Sequence, residues 1–90
     1  MARRMCTWRE LITEEMRKRG ESWGDVVAMT LTEEQLDVVF DADFGSPCGA
    51  PFTLWTQQRV YFPTSYDGWE DAASVPRNPS DEAVEHVGNS

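Results

Sequence analysis

Cations are scarce beyond the first twenty residues. Residues 21–90 hold Arg59 and Arg77 against thirteen acids, a local charge of −11, whereas residues 1–20 carry six cations and three acids. The whole chain stands at −8. That shortage disfavours direct nucleic-acid binding over most of the surface, because phosphate recognition needs Lys and Arg to release condensed counterions. Metal-binding residue types are equally thin. His86 is the one histidine, and Cys6 and Cys48 are far apart, with no Cys-x-x-Cys or His-x-x-x-His pair, so the usual zinc spacings are excluded. Two cysteines make no secreted disulfide framework, and the first six residues are too short and polar for a signal peptide. No apolar run approaches the roughly 18 residues of a membrane-spanning helix. There is no phosphate-cradling glycine-rich loop, no serine nucleophile elbow, no internal repeat and no low-complexity tract. The chain reads as cytosolic, with both thiols reduced and no cofactor.

What is present is one small domain rich in aromatics. A chain of this length hides only about 60–65% of the surface its unfolded form exposes. Four Trp, four Phe and two Tyr enlarge that core, since each large aromatic buries roughly 150–250 Å². The first half carries helical signals. Thr7 and Glu10 have capping-box spacing, and Trp8, Leu11, Ile12 and Met16 then recur on one helical face. Gly20 ends this helix, and Arg17, Lys18 and Arg19 complement the negative end of its dipole. Ser22 with Asp25 predicts a second, shorter helix that turns Trp23, Val26 and Val27 inward. Thr32 with Gln35 predicts a third, with Leu31 and Leu36 at hydrophobic-staple spacing and Leu36, Val39 and Phe40 on its buried face.

The second half changes period. Residues 52–56 and 59–62 are rich in strand formers, Gln57-Gln58 marks a turn, and Asp67-Gly68 is a second turn after which Trp69 to Val75 return. Pro63 is expected to end ladder pairing early. By parity Trp55, Val60, Phe62, Ala73 and Val75 share one face, which we assign to the helices. Phe52, Leu54, Tyr61 and Ser74 then form the other face. The expected fold is α+β: two to three N-terminal helices, within about 8–40, packed on a three-stranded antiparallel sheet at about 52–76. Residues 1–79 form the domain, and 80–90 a polar, acidic and loosely packed tail.

Candidate chemistry is weak. In Asp41-Ala-Asp43-Phe-Gly45 the alternating acids suit a calcium loop, but Ser46 stands where that loop needs glycine and Phe52 where it needs a bidentate glutamate. A Cys48–His86 nucleophile pair would place its base in a polar tail. Sixteen acids supply many carboxylate pairs, so abundance alone removes the meaning of any one pair. The reading is therefore not an enzyme and not a metal protein.

The segment from Leu36 to Pro63, with Tyr66-Asp67-Gly68 and the run Ser74-Val-Pro-Arg-Asn-Pro79, resembles small uncharacterised proteins of tailed phages and prophages, a likeness covering about Trp8 to Pro79. The resemblance implies a setting, the host cytoplasm, and a class of action, binding and blocking a host protein. Nucleic-acid-handling defence complexes, CRISPR or restriction, have basic grooves that an acidic inhibitor would suit. The acidic surface expected to meet such a partner has two parts: Glu33, Glu34, Asp37, Asp41 and Asp43, and then Asp67, Glu70 and Asp71. Carboxylates at intervals imitate phosphates and compete for a groove lined with Lys and Arg. The alternative is an oligomerising scaffold module of a phage assembly, a homodimer for instance, using Phe52, Leu54 and Tyr61 as apolar anchors.

Overall fold

A computed structural model describes residues 4–45 and 48–87. Strand β1 is Met5–Cys6, followed by helix α1, Trp8–Arg19, a 3-10 turn at Trp23–Asp25, and strand β2, Val26–Met29. Helix α2 is the single turn Glu33–Leu36, and strands β3, Phe40–Asp41, β4, Leu54–Thr56, β5, Arg59–Tyr66, and β6, Trp69–Pro76, complete the order. Among the described residues β1 and β3 pair as a small sheet, and β2-β4-β5-β6 form an antiparallel four-stranded sheet. This overturns the expected architecture of two to three helices on a three-stranded sheet: the protein is α+β, with six strands in two sheets and one helix of substance.

Local signals explain α1. The Thr7 amide donates to Glu10 Oε1 at 2.9 Å and the Glu10 amide to Thr7 Oγ1 at 3.2 Å, closing the capping box. At the other end Gly20 adopts φ 73°, and the Gly20 and Glu21 amides donate to the Arg17 and Met16 carbonyls. Trp8, Leu11, Ile12 and Met16 are buried as one stripe. Trp8 is the pivot: its ring lies 4.8 Å from both Phe40 and Phe52, and its Nε1 donates to the Ala50 carbonyl at 2.9 Å.

The second predicted helix is corrected to a 3-10 turn and a strand. The Ser22 amide does donate to Asp25 Oδ2 at 2.9 Å, but only three residues follow in helical form. Val26 and Val27 are β-branched, Gly24 costs helix about 1 kcal/mol, and β4 offers a ladder. Val27 is the extra residue of a bulge between the Val26–Thr56 and Ala28–Trp55 pairs. The third predicted helix is also shorter than expected. Its capping box forms, with the Thr32 amide on Gln35 Oε1 and the Gln35 amide on Thr32 Oγ1, and Leu31 and Leu36 are buried. Yet it stops at Leu36, Val39 is exposed, and Phe40 reaches the core from a strand that pairs with β1.

The hairpin register agrees with parity: Trp55 faces Val60, Val60 faces Val75 and Phe62 faces Ala73. Pro63, however, does not end the ladder; it pairs with Ala72 inside β5. Counting from the two-residue turn, its missing N–H falls at a position directed away from β6, beyond where β4 has already ended. The assignment of faces is reversed. Phe52, Leu54, Tyr61 and Ala72 are buried in the same cluster as Trp8, Leu11, Ile12 and Met16, whereas Trp55, Val60, Phe62, Ala73 and Val75 are half-buried on the outer face. Parity says which residues share a face but not which face the helix takes. Here the small Ala72 and Ser74 of β6 admit α1 closely, and the polar groups of that face find partners there. Phe52, Leu54 and Tyr61 are thus core residues and not an available docking face.

Candidate functional site

The acids fall into two physical groups. The first is absorbed by the fold. Glu70 is 3% exposed, and its carboxylate accepts the Cys48 amide at 2.7 Å and the Gly49 amide at 3.0 Å. It therefore anchors the loop that passes under Trp8. Asp41 Oδ1 accepts the Arg4 amide at 3.3 Å and the Asp43 amide at 3.0 Å, so it stabilises the turn after β3. Asp71 Oδ1 accepts the Ala72 amide. Arg9 gathers Glu33 at 3.1 Å and Asp37 at 2.7 Å, and its hydrogen bond holds the Asp37 carboxyl below the ordinary range. Of the residues expected to form the acidic surface, Glu70 is buried and Glu33, Asp37, Asp41 and Asp71 are engaged within the molecule.

The second group is free. Glu34, Asp43 and Asp67 have carboxylates without a hydrogen bond or ion pair among the described residues, and so do Glu14, Asp81 and Glu85. Most of the described cations show the converse, Arg17 and Lys18 at the end of α1 excepted. Arg4 lies 4.0 Å over the Trp69 ring and donates to the Glu70 carbonyl. Arg19 and Arg59 bind Glu15 and Glu82, and Arg77 donates to the Thr56 carbonyl. The negative charge left over is consequently a surface property of the folded chain, not only of its composition.

A polar network that the sequence did not announce lies between α1 and the sheet. Arg59 is buried; its Nε donates to Ser74 Oγ at 2.8 Å, and Ser74 Oγ donates to Glu15 Oε2 at 2.8 Å. Arg19 closes on the same Glu15 oxygen at 2.8 Å. From the C-terminal segment Glu82 meets Arg59 with both oxygens, at 2.8 and 3.0 Å, which lowers the Glu82 carboxyl below its usual range. Beside it Tyr61 Oη donates to Glu21 Oε1 at 2.6 Å, and Thr56 Oγ1 shares that carboxylate. Burial, then the bond to Glu21, raises the Tyr61 phenol well above its ordinary value. An open cleft of about 650 Å³ adjoins this network, lined in part by Glu21, Asp25, Arg59 and Glu82. The described part of the C-terminal segment has no regular backbone structure beyond residue 81, and its Glu82 meets two arginines.

The polar groups of this network largely satisfy one another. Ser74 is buried, and its hydroxyl is spent between Glu15 and Arg59. Desolvation and the carboxylates of Glu70 and Asp41 raise the Cys48 thiol, which works against the thiolate a nucleophile needs. Burial does the same at Cys6. His86 lines a groove with Lys18, Thr64 and Ser74, while Cys48 sits at the Glu70 carboxylate. Among the described residues no three His, Cys, Asp or Glu side chains are placed to hold a metal ion, and no helix is long and apolar enough to cross a membrane. Ser46, part of the calcium-loop comparison, lies outside the described residues.

Exposed aromatics gather at the tip of the β5–β6 hairpin. Tyr66 and Trp69 are cross-strand partners flanking Asp67-Gly68, and Phe44 stands next to Gly45, whose backbone abuts Gly68. Phe44 is 66% exposed, Tyr66 65% and Trp69 43%. Sequence reasoning passed over all three. The available signal was two aromatics bracketing an Asp-Gly turn, where cross-strand side chains must sit together at the end of a ribbon. Comparison with protein-family models, with curated proteins and with solved structures finds no match to this chain.

Proposed function

We propose that the chain is a noncatalytic binding protein whose acidic surface occupies a basic surface on a partner protein. In the setting implied by the phage and prophage resemblance, that partner is a host nucleic-acid-handling defence complex of CRISPR or restriction type, and binding blocks its groove. The observation that carries this reading is the division of charge. Arg4, Arg9, Arg19, Arg59 and Arg77 are engaged within the molecule, and Arg17 and Lys18 at the end of α1 are the exposed cations left over, against six acids, Glu14, Glu34, Asp43, Asp67, Asp81 and Glu85, whose carboxylates have no cation among the described residues. Uncancelled exposed charge of one sign steers association with the opposite sign and is sensitive to ionic strength. The working acids are accordingly Glu34, Asp43 and Asp67 from the original set, with Glu70 removed to a structural role.

The test is capture of a partner from host lysate on the immobilised protein, followed by affinity measurement on the purified pair across a salt series. Affinity should fall steadily from about 50 to 500 mM salt, because the Debye length shrinks from above 10 Å toward a few ångströms. Replacing Glu34, Asp43 and Asp67 by the corresponding amides should weaken binding in graded steps. Salt-independent affinity would sink the reading.

A second reading rests on the outer sheet face. Trp55, Val60, Phe62 and Val75 are half-exposed there, which moves the homodimer alternative from the buried Phe52, Leu54 and Tyr61 to the opposite side of the sheet. Sedimentation at micromolar concentration separates the two, since a strict monomer leaves the acidic binder standing alone.

A further inference from the structure

Three exposed aromatic rings at one end of a ninety-residue chain have no role in its core. Phe44, Tyr66 and Trp69 keep 43–66% of their surface in water. Exposed aromatic groups brought to one hairpin tip mark interaction sites more often than they decorate a surface, and Trp and Tyr are the side chains that dominate binding hot spots. Their acidic flanks are equally specific. Asp43 precedes Phe44, and Asp67 lies in the turn between Tyr66 and Trp69, both without a partner for their carboxylates among the described residues.

The platform is tied by backbone contacts. Asp67 and Gly68 have φ values of 52° and 81°, the two successive positive values of a tight two-residue hairpin turn. Gly68 is buried against the neighbouring loop so closely that a Cβ added to it would lie 2.8 Å from the Gly45 Cα. The Glu70 amide donates to the Ala42 carbonyl at 2.7 Å, and the Ala42 amide donates to the Arg4 carbonyl at 2.8 Å. The hairpin tip, the loop carrying Phe44 and the strand before α1 are thus joined by backbone contacts. A surface held this way loses little freedom on binding.

One feature of the tip identifies its ligand chemistry. The Arg4 guanidinium already stacks at 4.0 Å over Trp69 and donates through Nη1 to the Glu70 carbonyl at 2.6 Å. The tip therefore accommodates a planar cation between an aromatic ring and an oxygen acceptor. Phe44 and Tyr66, with the carboxylates of Asp43 and Asp67 next to them in sequence, offer a ring and an oxygen acceptor again, the acceptor here charged, and no cation among the described residues stacks on these two rings. Arginine satisfies both at once, because its guanidinium is planar, weakly hydrated and able to bond a carboxylate through two N–H groups, whereas a lysine ammonium is a strongly hydrated point charge. We propose that this tip is where the partner protein docks, and that the group it receives is an arginine-bearing loop. The proposal rests on the acidic-binder reading and sharpens it from a diffuse surface to one site and one side chain.

The experiment is an NMR titration of the full chain, followed by backbone and indole N–H shifts, with three probes: a hexa-arginine peptide, a hexalysine peptide of equal charge, and a ten-nucleotide oligo-dT strand. The expected result is saturable shifts at Asp43, Phe44, Asp67, Gly68 and Trp69 with hexa-arginine, at an affinity about five-fold or more above hexalysine, since stacking adds to charge only for arginine. The double variant F44A/Y66A should abolish that preference while its unfolding midpoint and amide-exchange pattern stay unchanged, because both rings are exposed. Equal affinity for the two peptides, with small shifts spread over Glu14, Glu34 and Asp81, overturns the tip while leaving the acidic reading intact. No binding of either peptide overturns both. Tip shifts with oligo-dT, through base stacking, overturn the arginine assignment in favour of a nucleic-acid ligand.

Discussion

Replacing Glu70 by alanine separates an acid that builds the fold from an acid that meets a partner. Glu70 is 3% exposed and receives the Cys48 and Gly49 amides at 2.7 and 3.0 Å. A hydrogen bond to a charged group contributes about 1.5–3 kcal/mol, and its loss also strands a donor. The amide at exposed Cys48 recovers a water on truncation, so the two bonds together are worth about 2–3 kcal/mol rather than the full sum. For a domain of this size that lowers the thermal midpoint by roughly 10–20 °C. Glu70→Gln keeps the shape and one acceptor oxygen and should lose about half as much. Urea unfolding followed by tryptophan fluorescence gives the difference, and amide exchange should accelerate first at Cys48 and Gly49. Asp67→Asn, by contrast, keeps a residue that tolerates the φ of 52° at this turn position, so it should leave the midpoint nearly unchanged and weaken binding to a basic partner. If Glu70→Ala unfolds within about 2 °C of the parent, the loop anchor described above is wrong.

Three further outcomes follow from the geometry. A Cβ at Gly49 would lie 2.6 Å from Trp8 Cζ2 and 2.9 Å from Phe40 Cζ, so Gly49→Ala should cost about 1–3 kcal/mol in chemical denaturation, because buried rings in contact have little room to give. The folded-state phenol of Tyr61 is raised, so its contribution is intact below pH about 10, the ordinary tyrosine value, and is lost as pH climbs beyond it. Urea midpoints between pH 9 and 11 should therefore fall in the parent and fall less in Tyr61→Phe, which has no phenol to titrate. At the acid end the sign reverses. Glu82 is lowered by its bond to Arg59, so that contact holds above the ordinary glutamate range and is lost as pH falls below it, and limited proteolysis near residue 82 should speed up at pH 3–4 and in Glu82→Gln at neutral pH.

The local elements of this protein were legible where a short stretch of chain carries its own instructions. Three capping signals, at Thr7, Ser22 and Thr32, all form, because a side chain and an amide three residues apart need nothing else. The register of the β4–β5–β6 meander was equally legible, since two turns and the strand period set which residues oppose one another. Even the position of the aromatic tip was implicit in Tyr66-Asp-Gly-Trp69, although its exposure was not.

What those signals started, distant partners finished. Ser22 opened a helix that β4 converted into a strand, and Thr32 opened one that β1 cut short by pairing with Phe40 and Asp41. The choice of inner face turned on whether α1 would find Tyr61, Ser74 and Arg59 or Trp55, Val60 and Phe62, and Glu15 on α1 itself, with Glu21 just past its cap, satisfies the polar groups of the first set. The acids show the same division. Their number and their crowding beyond residue 20 are properties of the sequence. Which of them became a buried anchor, as Glu70 did, and which stayed free beside an aromatic ring, as Asp67 did, depended on amides and cations brought close only by folding, because hydrogen bonds and desolvation act over ångströms and the chain positions those partners tens of residues apart.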